Sequence, residues 1–403
     1  MTSKAFRAMM LASLLTVVPS FARRPPEVDE PGGATILCYH IVESPQDPRM
    51  EISREVFRQQ MRYLAMTGYT VVPLRDIYEY AAGKRTSLPK NAVAITIDDG
   101  WRSTYTEAFP ELKKRHFPFT VFIYPQIIGK TAYALTWKQV KEMADAGVDI
   151  ESHSYSHPFL TQRRHATLDA TQYAQWLHHE LVESKHILER ETGHPVSFLA
   201  YPYGDYDHHL TTSVAKAGYD AALTCDYGRV THGTDPLRLR RVVIDKRMDF
   251  AAFRHYLGAR PMPLEEMWPE PGKVLDPGQI VTISARIPNY KNLDPKSVGI
   301  ALLSMTGSLP YSYDAQNGLI SLDISEGLTG ALQRALVWAT EAKSGHRFEA
   351  SWTFRLPDLF GDPAFCPPID PGAVPIRPTQ AAAPGAATVS SRSQAAGAPR
   401  LQN

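Results

Sequence analysis

Cysteine is scarce in this chain. Only Cys38, Cys225 and Cys366 occur among 403 residues, an odd number without metal-ligand spacing, so neither a disulfide framework nor a zinc ribbon is expected. The fold must rest on its apolar core, and Cys38, inside the run TILCY, reads as a small buried hydrophobe. An excess of charge of one sign is also missing. The 43 Lys and Arg nearly balance the 42 Asp and Glu, for a formal net charge of +1, which lacks the basic footprint of a nucleic-acid-binding protein. Long hydrophobic runs are lacking as well: the N-terminal stretch MMLASLLTVV is about ten residues, against the roughly 20 that span a bilayer.

That stretch has the layout of an export signal. Lys4 and Arg7 precede it and Ser20-Phe21-Ala22 follows with small residues around a cleavage point. Residues 1–22 are therefore expected to be removed, and 23–33 to form a linker. The mature protein is expected in the periplasm or outside the cell, with no transmembrane segment after cleavage.

From residue 34, short β-rich runs alternate with amphipathic stretches: TILCY, TVV, AVAITI, FTVFIY, VDIES, VSFLAY, DAALT and LRRVVI. Thr136 and Gln139 form a capping box ahead of Trp137, Val140, Met143 and Ala144, with Gly147 closing that helix. Another helix runs from Ser53 through Phe57, Met61 and Leu64 to Gly68. Eight β/α alternations predict an α/β fold, a distorted (β/α) barrel over 34–260, with a doubly wound open sheet as the alternative. After 260 the pattern changes: PGKVLDPGQIVTISARIP, SVGIALLSM, LISLDI, RALVWAT and FEASWTFRLP read as strands, with turn signals such as Asp276-Pro277-Gly278 and Asn317-Gly318 between them. These predict a small all-β, immunoglobulin-like sandwich over 261–357. Residues 358–403 are Pro/Ala-rich, with too few large apolar side chains for a core, and read as a disordered tail.

Three polar groups fall at predicted strand ends: Asp98-Asp99-Gly100, His153-Ser154-Tyr155-Ser156-His157 and Tyr201-Pro202-Tyr203-Gly204. Ligands of α/β barrels and open sheets collect at the carboxyl ends of strands, so the three loops can share one mouth. Histidines four apart would lie on one side of a helical turn, and one carboxylate added to them makes the three-ligand set of a catalytic divalent metal. Successive strand side chains alternate faces, so Asp98 and Asp99 diverge unless the chain turns at Gly100. One acid then binds metal and the other stays free as a base. A non-haem iron oxygenase also uses two His and one carboxylate, but leaves Asp98 without a role.

AITIDDG, SHSYSH and YPYG, in that order, resemble the first three motifs of the polysaccharide deacetylases, carbohydrate esterase family 4, also called the NodB-homology domain. The resemblance implies that Asp98 is the general base and that Asp99, His153 and His157 hold a divalent metal, commonly zinc, with cobalt or nickel as alternatives. It maps an oxyanion-stabilising backbone N–H onto Tyr203, in a loop that Pro202 shapes, with Tyr201 and Pro202 beside Tyr203 as substrate- or oxyanion-side residues. Two departures stand out. Ala200 occupies a position where the family has an arginine, and no late histidine motif supplies the general acid. A subgroup similar to the biofilm poly-N-acetylglucosamine deacetylases has a permuted motif order, with the acid histidine on the first strand. That places His40 as the acid and Arg241 beside Asp98, with Arg240 as the runner-up, since a one-residue register change turns the side chain to the other face.

The expected function is an exported, metal-dependent deacetylase of an N-acetylated glycan. Esterase activity on O-acetylated polysaccharide, peptidoglycan deacetylation, and a non-catalytic glycan-binding matrix protein are the alternatives. The sandwich is a candidate glycan or partner contact. Trp101, Tyr133, Trp137 and Tyr206 are aromatics that either line a sugar groove or fill the core. N-terminal sequencing of the exported protein is expected to start at or near Arg23; recovery of the intact Met1 terminus would contradict the export signal.

Overall fold

The computed structural model describes residues 32–356 apart from 44–48, 162–166, 276–281, 289, 306–308, 325–327 and 329–330. The signal segment, most of the linker, Cys366, the tail and the turn at 276–278 lie outside the described residues. Among the described residues no helix is long and apolar enough to cross a membrane.

Along the chain, β1 (Thr35–Tyr39) is followed by the short pair β2 (Ile41–Val42) and β3 (Glu51–Ile52), α1 (Arg54–Met66), β4 (Thr70–Val71), α2 (Leu74–Ala81) and β5 (Ala92–Ile97). Next come α3 (Phe109–Lys114), β6 (Thr120–Ile123), α4 (Trp137–Asp145), β7 (Asp149–Ser152), α5 (Ala170–His178) and α6 (Ser184–Thr192). The domain ends with β8 (Phe198–Ala200), α7 (His208–Lys216), β9 (Ala221–Leu223), β10 (Val242–Val243) and α8 (Phe250–Gly258). Local chemistry sets the helix starts. Ser53 accepts from the Val56 N–H at α1, and the Thr136–Gln139 capping box is made in both directions at α4.

The strands form one parallel sheet in the order β10-β1-β5-β6-β7-β8-β9, with β4 flanking the start of β5. The predicted eight strands are present, but only seven follow one another. The sheet curls until its ends meet. Leu239 bridges β9 at Leu223, and its N–H and C=O bond Ala222 O (2.9 Å) and Thr224 N (2.8 Å); three residues later the same segment becomes β10 and pairs with β1. The fold is thus a distorted (β/α) barrel. Where β7 and β8 share one register pair, Ser152 and Leu199, the buried Glu151 carboxylate accepts the Ser197 and Phe198 N–H groups at 2.8 and 2.7 Å.

Side-chain alternation sorts each strand. Val93, Ile95 and Ile97 of β5, with Leu37, Val121, Leu199 and Val242, pack with helix residues such as Phe57, Met61 and Val140. The opposite parity, Ile36, Ala94, Phe122, Phe198, Ala221, Leu223 and Leu239, forms a separate inner cluster.

The second region has two four-stranded sheets. One is ordered β11 (Arg260–Pro261), β18 (Arg347–Arg355), β17 (Leu332–Thr340), β14 (Gly299–Leu302); the other is β12 (Glu265–Trp268), β13 (Thr282–Arg286), β16 (Leu319–Asp323), β15 (Tyr311–Asp314). The runs of β12 and β15, EEMW and YSYD, carry weak apolar alternation and were not predicted as strands. Their core holds Ile283, Ile320, Leu322, Val337, Trp352 and Phe354. Both faces of the β17–β18 pair are buried. Ala335, Val337, Trp352 and Phe354 meet the partner sheet, whereas Leu336 and Trp338 join the barrel's core.

Candidate active site

β5 carries its inner parity one residue past its end. Thr96 and Asp98 follow Ala94, so the Asp98 carboxylate enters the curl and is only 1 % exposed. There it meets Arg241, whose parity follows Leu239 and precedes Val243, the residue paired with Cys38. Arg241 Nη1 donates to Asp98 Oδ1 at 2.8 Å, and Nε donates to the Thr224 carbonyl at 3.0 Å. Its guanidinium carbon stands 5.8 Å from the Phe122 ring centre. Arg240, one residue away, turns to the opposite side and lines a cavity between the domains. Cys38 is a partner the sequence did not reveal: its thiol donates to Asp98 Oδ2 at 3.4 Å.

Asp99 leaves the strand at once. Its φ of 77° and that of Gly100, 88°, reverse the chain, so the turn begins on the aspartate itself rather than on the glycine. Asp99 Oδ1 stands 3.5 Å from both His153 Nε2 and His157 Nε2, and the two nitrogens are 3.2 Å apart. Trp101 Nε1 donates to the other oxygen, Oδ2, at 2.9 Å. Trp101, half-buried, is therefore more than core filling: it orients Asp99.

The histidines do not lie on a helical turn, which corrects the expectation from their spacing. Ser154 and His157 have φ of 63° and 59°, which breaks any right-handed turn. The buried Glu180 carboxylate holds the loop by accepting the N–H groups of Tyr155 (3.0 Å) and Ser156 (2.9 Å). His153 Nδ1 donates to the Ala200 carbonyl at 2.8 Å, which leaves the Nε2 lone pair facing Asp99.

Asp99, His153 and His157 suit a divalent cation. Bonds of roughly 2.0–2.1 Å in tetrahedral array separate ligand atoms by about 3.4 Å, close to the 3.2 and 3.5 Å found here. Burial, with His153 beside it, pushes His157 down to about 4, so its imidazole is neutral at pH 7 and can donate a lone pair. Cys38, His40 and Asp98 form a second close group. It suits a cation poorly: burial pushes the Cys38 thiol up, so it keeps its proton, and a guanidinium already occupies Asp98. For Asp98, burial alone would raise the pKa, but Arg241, with His153 and His40, outweighs it and holds the carboxyl below the usual aspartate value.

The remaining predicted residues divide. His40 is half-buried one residue past β1, its Nδ1 buried and without a hydrogen-bond partner among the described residues. The Tyr203 ring lies 4.7 Å from that of His157 and stacks on Phe159 at 4.0 Å, its backbone at φ 61°. Pro202 is buried under it. Tyr201 does not reach the mouth. Its ring is fully buried, its hydroxyl donates to the Leu237 carbonyl and its N–H to that of Leu223. Tyr206 is buried likewise, with its hydroxyl on Asp226 at 2.7 Å. Tyr133 is exposed and Trp137 half-buried. The inter-domain cavity, about 910 Å³, is lined by Tyr206, Asp226, Arg238 and Arg240, not by Asp98, Asp99 or the two histidines.

Comparison with known proteins places this geometry. Residues 85–222 match the family model described as polysaccharide deacetylase. The domain that carries the candidate site is thus of the polysaccharide deacetylase type over residues 85–222. YxkH of Bacillus subtilis strain 168 is 28 % identical over 232 residues, 57 % of this chain and 78 % of that protein. The poly-beta-1,6-N-acetyl-D-glucosamine N-deacetylase of Staphylococcus epidermidis is 28 % identical over 199 residues, 48 % of this chain and 68 % of that one. The structure of IcaB from Ammonifex degensii superposes with a TM-score of 0.50 at 28 % identity, covering 57 % of this chain and 98 % of that one. This deacetylase is accordingly a hydrolase with a candidate divalent-metal site. The matched segment holds Asp98, Asp99, His153, His157 and Tyr203, while His40 and Arg241 come from strands on either side of it.

Replacing Trp101 by Phe removes the donor to Asp99 and should weaken the binding of a divalent cation at this candidate site roughly 10- to 100-fold. Calorimetric titration of metal-free protein measures this; unchanged affinity would show that the indole does not orient the carboxylate.

Proposed function

We propose that the protein is an exported, zinc-dependent N-deacetylase of a poly-N-acetylglucosamine-like glycan. The observation that carries this reading is the pairing of a triad fit for a metal with a separate, arginine-held carboxylate beside it. Support for the substrate comes from the Staphylococcus epidermidis relative, which is named for that polymer, and support for export from the N-terminal charge and apolar pattern.

Asp99, His153 and His157 would hold the ion, which when bound supplies Lewis-acid polarisation and activation of water. Asp98 takes the proton of the attacking water, and its ionised state at neutral pH suits a base. Arg241 keeps that carboxylate aimed and charged inside the barrel. The Tyr203 N–H, in the loop that Pro202 shapes, donates to the oxygen that gains charge at the acetyl carbon. His40 delivers a proton to the departing nitrogen as the C–N bond breaks, so acetate and a free amino sugar are the products. Base and acid stand close together, with ligand atoms of His40 and Asp98 within 4.8 Å of each other, because β1 and β5 are neighbours.

The direct test is acetate release from defined N- and O-acetyl oligosaccharides by wild type, chelated protein and Asp98→Asn. Release from the N-acetyl glucosamine oligomers is expected from the metal-loaded wild type alone, with Asp98→Asn retaining its metal. Preference for O-acetyl esters or muropeptides would move the substrate assignment, and glycan binding without any acetate would make the chain a matrix protein.

The pH profile gives a second test. Activity needs ionised Asp98, whose pKa is held below the usual aspartate value, so its protonation limits the wild type only at strongly acid pH. In Arg241→Met the burial is no longer opposed by the guanidinium, and the acid limb of kcat/KM should move up by roughly 1–3 pH units. An unmoved limb would assign it to another group.

A further inference from the structure

The polar face of the β17–β18 pair is buried against the deacetylase domain. Ser351, Thr353 and Arg355 alternate with Trp352 and Phe354 and are 0 % exposed. An isolated sandwich would give these residues to water. Here each one reaches a loop that follows β8 or β9.

Arg355 forms an ion pair with Asp205, both side chains fully buried. Asp205 lies two residues after Tyr203, and its other oxygen accepts from Thr161 Oγ1 at 3.0 Å, four residues after His157. One carboxylate thus joins the Tyr203 loop, the His157 loop and the second domain. A side chain at Gly204 (φ 68°) would collide with Cys225, its Cβ falling 2.6 Å from that residue's Cβ, so this loop already packs closely on its inner side. The next loop is held in the same way. Asp226 accepts from Arg334 Nε (3.2 Å), Thr353 Oγ1 (2.5 Å) and the Tyr206 hydroxyl (2.7 Å). Its backbone carbonyl accepts the N–H of Arg241 at 2.9 Å, and Tyr227 and Ser351 exchange two further bonds.

We propose that the sandwich is a positioning element of the active site: Arg355, through Asp205, sets the Tyr203 loop, and Arg334 with Thr353, through Asp226, sets the backbone that aims Arg241. The deacetylase assignment given above supplies the roles of Tyr203 and Arg241, so this inference rests on it. The buried charges explain the choice of contact. An apolar interface would hold the domains together, whereas a carboxylate with several donors fixes the direction of the loop that carries it.

The test uses the full chain with both charges removed together, Arg355→Met with Asp205→Asn, since removing the arginine alone would strand a buried carboxylate. Asn keeps an acceptor for Thr161. The double variant should melt cooperatively and bind one equivalent of zinc as wild type does. Its kcat should fall at least about tenfold with KM changed less than about twofold. Hydrogen exchange at the Gly204 and Asp205 amides, which bond Tyr201 O and Pro202 O, should quicken by about tenfold or more. A folded, metal-loaded variant with kcat and exchange within about twofold of wild type would overturn the proposal. So would a loss of activity matched by loss of zinc. Should wild type release no acetate from any substrate, the deacetylase assignment fails by itself, and the exchange comparison still decides whether Arg355 holds the loop.

Discussion

A carboxylate buried inside a barrel must find a counter-charge, and the position of Arg241 against Asp98 is the constraint around which this domain is arranged. Neither group reaches the other along the chain. They meet because the segment from Leu239 to Val243 closes the sheet between β9 and β1, and because both side chains occupy the inner parity of their strands. Breaking such a pair by removing one partner costs about 3–5 kcal/mol. Closure of the sheet and the charge state of the candidate base are therefore one problem with one solution. The arginine missing at Ala200 fits the same arrangement: Arg241 already supplies the guanidinium to Asp98, and Ala200 is fully buried in the inner apolar cluster.

The three loops at the mouth are held from outside rather than by their own propensities. Asp99, Ser154, His157 and Tyr203 all adopt positive φ, a conformation that costs roughly 1–3 kcal/mol each for residues with a Cβ. Glu180 restrains the histidine loop, Trp101 the candidate metal-binding aspartate, and Asp205 the Tyr203 loop. Strained backbone with such support is a means of presenting ligands and donors in one direction before substrate arrives.

Much of the fold was legible in the chain. TILCY and AVAITI coincide with β1 and β5 because fully buried strands read as unbroken apolar runs. The capping box at Thr136 is local chemistry and needs no tertiary information. The β12 and β15 strands were invisible, since EEMW and YSYD have little apolar alternation and take their structure from their neighbours. At the site, the spacing of His153 and His157 suggested the right partners on the wrong backbone. Cys38 looked like core and is core, yet its thiol touches Asp98; nothing in its local sequence distinguishes the two. The signal segment and the tail lie outside the described residues and stay expectations.

By itself the sequence determined which residue types are available and where strands end: two adjacent acids, two histidines four apart, and a tyrosine-proline loop, each following an apolar run. Those are short-range facts, set by alternation, caps and turns. Tertiary structure alone decided which acid joins the two histidines and which faces an arginine, because that depends on strand parity in a sheet whose ends must first meet. It also decided that SWTFR presents polar side chains to another domain rather than to water. An alternating strand has one apolar and one polar face, and only packing determines what the polar face will touch.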